Sequence, residues 1–325
     1  MSGAARLVAH NGNERALLRW TALGGVALMF LVLTTSGYMR LVASGFGCED
    51  WPECYGVQAQ EELRPLHRIA RPLHRLAASG MGAVAILAVG LAWVQKPRRR
   101  GDLTIATAVI VLTIFLAVLG RMAKSFGSPS VILGNVAAGT VLLLLLWWLY
   151  LRARSRQPEH PDRRTAGSAA VALSLGLAYF ALNVVAYAHH VVLACPTLAE
   201  CGAVWRGPDL VAFNPLIALE AQLEPAAADA ARQALGLAQR LSPVLLLVAA
   251  GGVVLQLSHT ARSLRILALF TSAVALAQAA VATFGIRPDF PFAMVLAHDL
   301  LGIAVLMLLA ALAYATSGRD AFPRN

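Results

Sequence analysis

Eight stretches of this chain stay apolar for about twenty residues at a time: 19–40, 76–95, 103–123, 131–151, 167–188, 241–258, 264–284 and 292–314. Short polar segments separate them. A run of ~20 apolar residues is what an α-helix needs to cross the hydrocarbon core of a bilayer. No comparable stretch alternates with the period of two that marks a strand. The pattern therefore predicts an all-α, polytopic membrane protein with eight transmembrane helices. The first run is preceded by polar sequence and followed by nothing like a small-residue cleavage site, so it reads as a retained helix rather than a signal peptide.

Composition agrees. The 325 residues are 58% hydrophobic and only 14% charged, with a mean hydropathy of +0.66. The formal net charge of +10 changes the picture only through its distribution. With the N-terminus placed inside, 16 of the 27 basic residues fall in inside segments, among them "KPRRRGD" and "RARSRQPEHPDRR". This is the positive-inside pattern. It predicts cytoplasmic termini in a bacterial-type inner membrane, with the lipid bilayer as the surrounding partner. The basic residues are scattered over short loops with no separate basic domain, so no nucleic-acid partner is expected.

Four cysteines occur, all in predicted outside loops: "CEDWPEC" (Cys48, Cys54) and "CPTLAEC" (Cys195, Cys201). An oxidising periplasm favours two short-loop disulfides, Cys48–Cys54 and Cys195–Cys201. A metal site built from the four thiols is the rival, disfavoured by the absence of C-x₂-C spacing. The matching pairs also announce a duplication. "HRLAASGMGAVAIL" in the first half answers "QRLSPVLLLVAAGG" in the second, and "VILGNVAAGTVLLLLLWWLY" answers "MVLAHDLLGIAVLMLLAALAY". His74 thereby matches Gln239, and Asn135 matches His298. Two pseudo-repeated four-helix bundles follow, residues 1–164 and 165–325, in parallel orientation because four crossings restore the starting side.

Polar side chains inside membrane helices are expensive, so each prompts a functional question. His74 and Asn135 are predicted near the outer ends of helices 2 and 4, and facing helices of a bundle can converge on one ligand. A neutral imidazole is a common axial ligand of heme iron. The competing reading is a hydrogen-bonded interfacial histidine. Arg40, Arg75 and Arg240 lie near the predicted outer boundary, where guanidinium groups either pair with anions such as heme propionates or simply anchor the helices. The segment 202–232 is long for a bundle connection and amphipathic around Leu216–Leu223, which reads as a lid or a surface-lying element.

The stretch "SGYMRLVASGFGCEDWPECYG" resembles the first helix end and first outside loop of the heme A synthase family, through Gly37, Arg40, Leu41, Ser44, Gly45, Cys48, Asp50, Trp51, Pro52, Cys54 and Gly56. The resemblance extends to the eight helices, the cysteine pair in each half and the His-Arg of helix 2. It implies conversion of heme o to heme a, by oxidation of the C8 methyl to a formyl group with water as oxygen source. It implies heme o as substrate in the N-terminal bundle and a heme b in the C-terminal one. Heme o synthase and the cytochrome oxidase assembly machinery become the expected partners, and a homo-oligomer is compatible with the family.

The chain departs from the family pattern at three positions. The family carries two histidines per bundle; here only His74 and His298 match, with Asn135 and Gln239 at the other two places. A family glutamate three residues before the helix 2 histidine is Arg71. His67, His189 and His190 are the alternative iron ligands, each also readable as a loop or headgroup residue. Glu61 and Glu62 are the acids available to replace the missing glutamate. Three readings stay open: a divergent heme A synthase, a non-catalytic heme-binding or assembly paralogue, and a heme-free membrane scaffold.

Overall fold

The computed structural model describes residues 3–43, 65–122, 129–154, 163–189, 191, 214, 216, 219–257, 262–285 and 292–317. Among these, eight α-helices are found and no strand: α1 Gly3–Ala43, α2 Pro65–Val94, α3 Arg100–Met122, α4 Pro129–Ala153, α5 Arg163–Ala188, α6 Pro225–Gln256, α7 Arg262–Ala280 and α8 Phe292–Thr316. A five-residue π-helical turn, Val281–Gly285, ends α7. All eight helices are long and apolar enough to cross a membrane. Their outward faces carry large apolar residues, among them Trp20, Leu76, Ile86, Ile114, Val248 and Phe270. In water such surface would be costly; against lipid it is what the surroundings require.

α1 and α3 each pack on α2 and α4, and α5 and α7 each pack on α6 and α8. Each half is therefore a four-helix ring, with α2 diagonal to α4 and α6 diagonal to α8. The halves meet where α4 packs on α5 and α8 and α1 touches α8. Trp147 Nε1 donates to the Met307 carbonyl across this seam at 2.8 Å, and Trp148 sets its ring edge-on to Tyr314.

The duplication is visible in the packing. Gly25 of α1 has no side chain where Leu146 of α4 presses in, and Gly176 of α5 has none where Leu309 of α8 does. Leu146 and Leu309 stand 163 positions apart, the offset that also separates Asn135 from His298. Small residues at these sites let the helix backbones approach closely, the usual source of cohesion inside a bilayer.

Two helix starts differ from the expectation. α2 begins at Pro65 and α6 at Pro225, each more than ten residues before the apolar run. In both, proline occupies the first helical position, where its missing N–H costs nothing. The early turns of α6 are held by packing: Ala228, Ala231 and Leu235 bury themselves with Ala186, Val191 and Leu219 in a small apolar cluster. The stretch read as an amphipathic lid is thus partly α6 itself. Its 3₁₀ turn, Leu219–Ala221, buries Leu219 and leaves Leu216 exposed. Gln239, expected at a helix start, lies about four turns into α6.

Candidate functional site

In the N-terminal bundle, His74 of α2 faces Thr35 of α1, with Nδ1 3.2 Å from the threonine hydroxyl oxygen. That hydroxyl also lies 2.8 Å from the Leu31 carbonyl, one turn back along α1. A threonine hydroxyl has one proton and donates it to the carbonyl, the ordinary arrangement for a threonine in a membrane helix. His74 Nδ1–H is then the donor and the threonine oxygen the acceptor. In this tautomer Nε2 carries the lone pair, as a metal-ligating imidazole requires, and the ring also bonds the Val32 backbone of α1. Asn135, half-buried on α4, stands across the bundle.

In the C-terminal bundle, the matching place is filled by a closed network. Gln239 Nε2 donates to Asn183 Oδ1 at 3.0 Å, and Asn183 Nδ2 donates to the Tyr179 carbonyl at 2.9 Å. Pro243 has no N–H to give the Gln239 carbonyl four residues back; the Ser242 hydroxyl supplies that bond at 2.8 Å. Gln239 is held by both its backbone and its side chain.

His298 of α8 belongs to the same network. Gln278 of α7 donates to the Tyr179 hydroxyl at 2.5 Å, and that hydroxyl lies 3.5 Å from His298 Nε2. His298 Nδ1 lies 3.4 Å from Asp299 Oδ1. Tyr179 has accepted from Gln278, so its own proton points to Nε2, and Nδ1–H serves the carboxylate. Both ring nitrogens of His298 are engaged.

A cavity of about 50 Å³ opens where the two bundles meet, lined by Arg40, Thr140, Tyr179, Asn183, His298 and Asp299 among others. Arg40 donates to Ser36 one turn earlier at 2.8 Å. The sequence places Arg40 and His298 in different halves; the fold brings them to one cavity. Its volume suits a few water molecules.

The other expected residues fall as follows. Arg240 is buried on α6, and Arg75 and Arg71 are exposed on α2. His189 is buried at the end of α5, where Nε2 donates to the Asn214 carbonyl at 2.9 Å. This contact ties the segment around Asn214 to the end of α5 through one ring nitrogen of His189. α2 begins early enough to include His67. The side chain of His67, together with His190, Glu61, Glu62 and all four cysteines, lies outside the described residues. Thr35, Tyr179, Asn183, Gln278 and Asp299 were not singled out from the sequence. The signal was present: Tyr179 and Asn183 are four apart on one face of an otherwise apolar helix, and Gln278 interrupts the apolar run of α7.

The residues bear differently on a porphyrin in the two halves. In the N-terminal bundle the donor set is one imidazole of the right tautomer and an asparagine, which fits a single protein ligand. In the C-terminal bundle it does not fit. His298 has both ring nitrogens engaged and Gln239 is bound to Asn183.

The fold defines a class: a polytopic all-α membrane protein of two four-helix bundles, each with a histidine on an inward-facing helix position. The chain is similar in sequence to proteins named heme A synthase. It is 24% identical over 318 residues to "Heme A synthase" of Shewanella oneidensis, covering 90% of this chain and 94% of that protein. It is 27% identical over 172 residues to the protein of that name from Alkalihalophilus pseudofirmus, covering 50% of this chain and 53% of the other. Against that of Shouchella clausii it is 26% identical over 193 residues, covering 57% and 62%. No protein-family model matches the chain.

Proposed function

We propose that the protein takes heme o as substrate in its N-terminal bundle and oxidises the C8 methyl to a formyl group, for use in cytochrome oxidase biogenesis. The observation that carries this reading is the whole-length similarity to a heme A synthase, joined to a His74 whose Nε2 keeps its lone pair. In this reading His74 is the protein ligand to the substrate iron. The N-terminal half, 1–164, is the substrate half. Arg40 and Arg75 are the anion partners on its side and Arg240 belongs to the other half. The Cys48–Cys54 and Cys195–Cys201 pairs close the loops above the bundles on the periplasmic face of a bacterial inner membrane.

A second reading, a heme-binding assembly protein that hands heme on without oxidising it, is favoured by Arg71 on the exposed face of α2. There the family pattern has an acid. The two are separated by one experiment. The chain is expressed with a heme o synthase in a host lacking heme A synthase and purified in detergent, and its extracted hemes are resolved by reversed-phase chromatography. Heme a or its hydroxymethyl precursor is the expected result. Heme o or heme b without an oxidised product would replace the first reading by the second. No heme of any kind would overturn both and leave a membrane scaffold.

A further inference from the structure

We infer that the C-terminal bundle holds no heme: the polar side chains at its ligand positions, Asn183, Gln239, Tyr179, Gln278 and His298, are bonded to one another, so any porphyrin bound by this chain sits in the N-terminal bundle. The argument rests on what fills the position. A resident heme between α6 and α8 needs an imidazole lone pair directed into a slot between helices, and an open flank for the macrocycle. The lone pair of His298 Nε2 receives the Tyr179 proton. The opposite position, Gln239, is oriented away from ligand duty by its bond to Asn183 and by the Ser242 bond to its carbonyl. Gln278 and His298 are 0% and 3% exposed, and Asn183 and Gln239 are each 7% exposed.

The hydroxyl and N–H donors of the network run in one direction, while the Gln278 side-chain oxygen is buried without a hydrogen bond. Gln278 gives to Tyr179, Tyr179 to His298, and His298 to Asp299. Opening a slot would break several of these bonds at once. Among the described residues of the N-terminal bundle no such polar network is found: α1 carries the apolar Leu28 and Leu31 in the region that matches Tyr179 of α5. The duplication has thus left one half able to take a porphyrin and turned the other into a polar-locked support.

The test is the ratio of heme to chain. The full-length protein, co-expressed with heme o synthase and purified in detergent, is measured by pyridine hemochromogen absorbance against amino-acid analysis. The expected ratio does not exceed one. His298→Ala and Gln239→Ala should keep that ratio, and His74→Ala should reduce it at least tenfold. A ratio near two, or loss of heme from His298→Ala while His74→Ala retains it, would overturn the inference. Should His298→Ala fail to fold, Tyr179→Phe serves instead. It removes the donor to Nε2 and is expected to lower the melting temperature by a few degrees with the ratio unchanged; a rise toward two would count against the inference. A ratio of zero would overturn the proposed heme o binding while leaving the C-terminal half as inferred.

Discussion

At one place in each bundle, a residue of the first helix meets a residue of the second. In the N-terminal bundle the pair is Thr35 and His74; in the C-terminal bundle it is Asn183 and Gln239. The backbones are arranged alike, as the Gly25–Leu146 and Gly176–Leu309 contacts attest. The chemistry differs. Threonine spends its proton on its own helix and leaves the imidazole one free lone pair. In the second bundle one amide donates to the other, and that one donates to the backbone one turn earlier on its own helix. Duplication preserves where side chains meet, and the identity of two residues then decides which of their polar atoms stay available there.

The halves also differ in where their strongest polar contact lies. In the N-terminal bundle Arg152 Nε donates to Asp102 Oδ1 at 2.6 Å, both side chains nearly buried, at the predicted cytoplasmic end. The matching positions of the second half, by the same offset of 163, are the exposed Arg265 and Ala315, which cannot form this pair. Removing one member of a buried pair strands the other and costs about 3–5 kcal/mol. Asp102→Ala should therefore produce the largest loss of stability among the substitutions considered, read as an early melting transition in detergent. If Arg265→Ala were equally damaging, the two halves would not differ in this way.

Much of this fold was legible from the apolar pattern, and the reason is physical. Lipid-facing and lipid-crossing segments must be apolar over about twenty residues, so all eight helices announced themselves. The starts of α2 and α6 did not, because these turns extend beyond the apolar runs and carry polar residues such as Arg68, Arg71, Asp229 and Arg232. Hydropathy stops where the membrane stops; helices need not. The candidate site was half legible. His74, Asn135, Gln239 and His298 could be found by aligning the two halves. The partners that decide their roles could not, since Thr35 is one of three adjacent small polar residues, Thr34 to Ser36, and Gln278 follows Thr271 and Ser272 on its helix. Their meaning depends on which helix lies opposite.

The comparison sharpens through paired substitutions at the meeting points. Thr35→Val removes the acceptor that fixes the His74 tautomer and ring. Loss of a partner that orients a ligating histidine typically weakens binding about 10–100-fold. Heme should be retained more weakly by Thr35→Val, as measured by its transfer to apomyoglobin. Asn183→Leu should leave heme retention unchanged and lower stability by ~1–2 kcal/mol, the upper range for an interhelical hydrogen bond in a membrane. An effect of Asn183→Leu on heme retention would contradict the division of labour.

The glycines test the opposite claim, that the halves are alike in packing. A Cβ on Gly25 would lie 2.9 Å from Leu146 and Val84, and one on Gly176 would lie 2.8 Å from Leu309. The obstructing atoms are the ends of side chains that can shift. Each Gly→Ala change should then cost about 1 kcal/mol, at the low end for overpacking, and the two costs should be equal within error. A difference of more than about 1 kcal/mol would show that the repeated contact no longer plays the same part in both bundles.

The smallest effect expected belongs to a feature with no counterpart in the described part of the first bundle, the His189 contact at the end of α5. Burial holds its imidazole below the ordinary value of 6.5; the Asn214 carbonyl opposes this and the neighbouring Arg232 adds to it. The unfolded chain takes up this proton as pH falls through the ordinary value, while the folded chain resists until a lower pH. Folding is therefore at full strength above pH 6.5 and weakens as pH drops below it. His189→Asn removes the titrating group. The variant should melt at a temperature less sensitive to acidification than the parent between pH 6.5 and 5, although it melts lower than the parent at pH 8. Identical pH profiles for the two proteins would mean that the His189 contact contributes nothing to holding the 219–235 segment against α5.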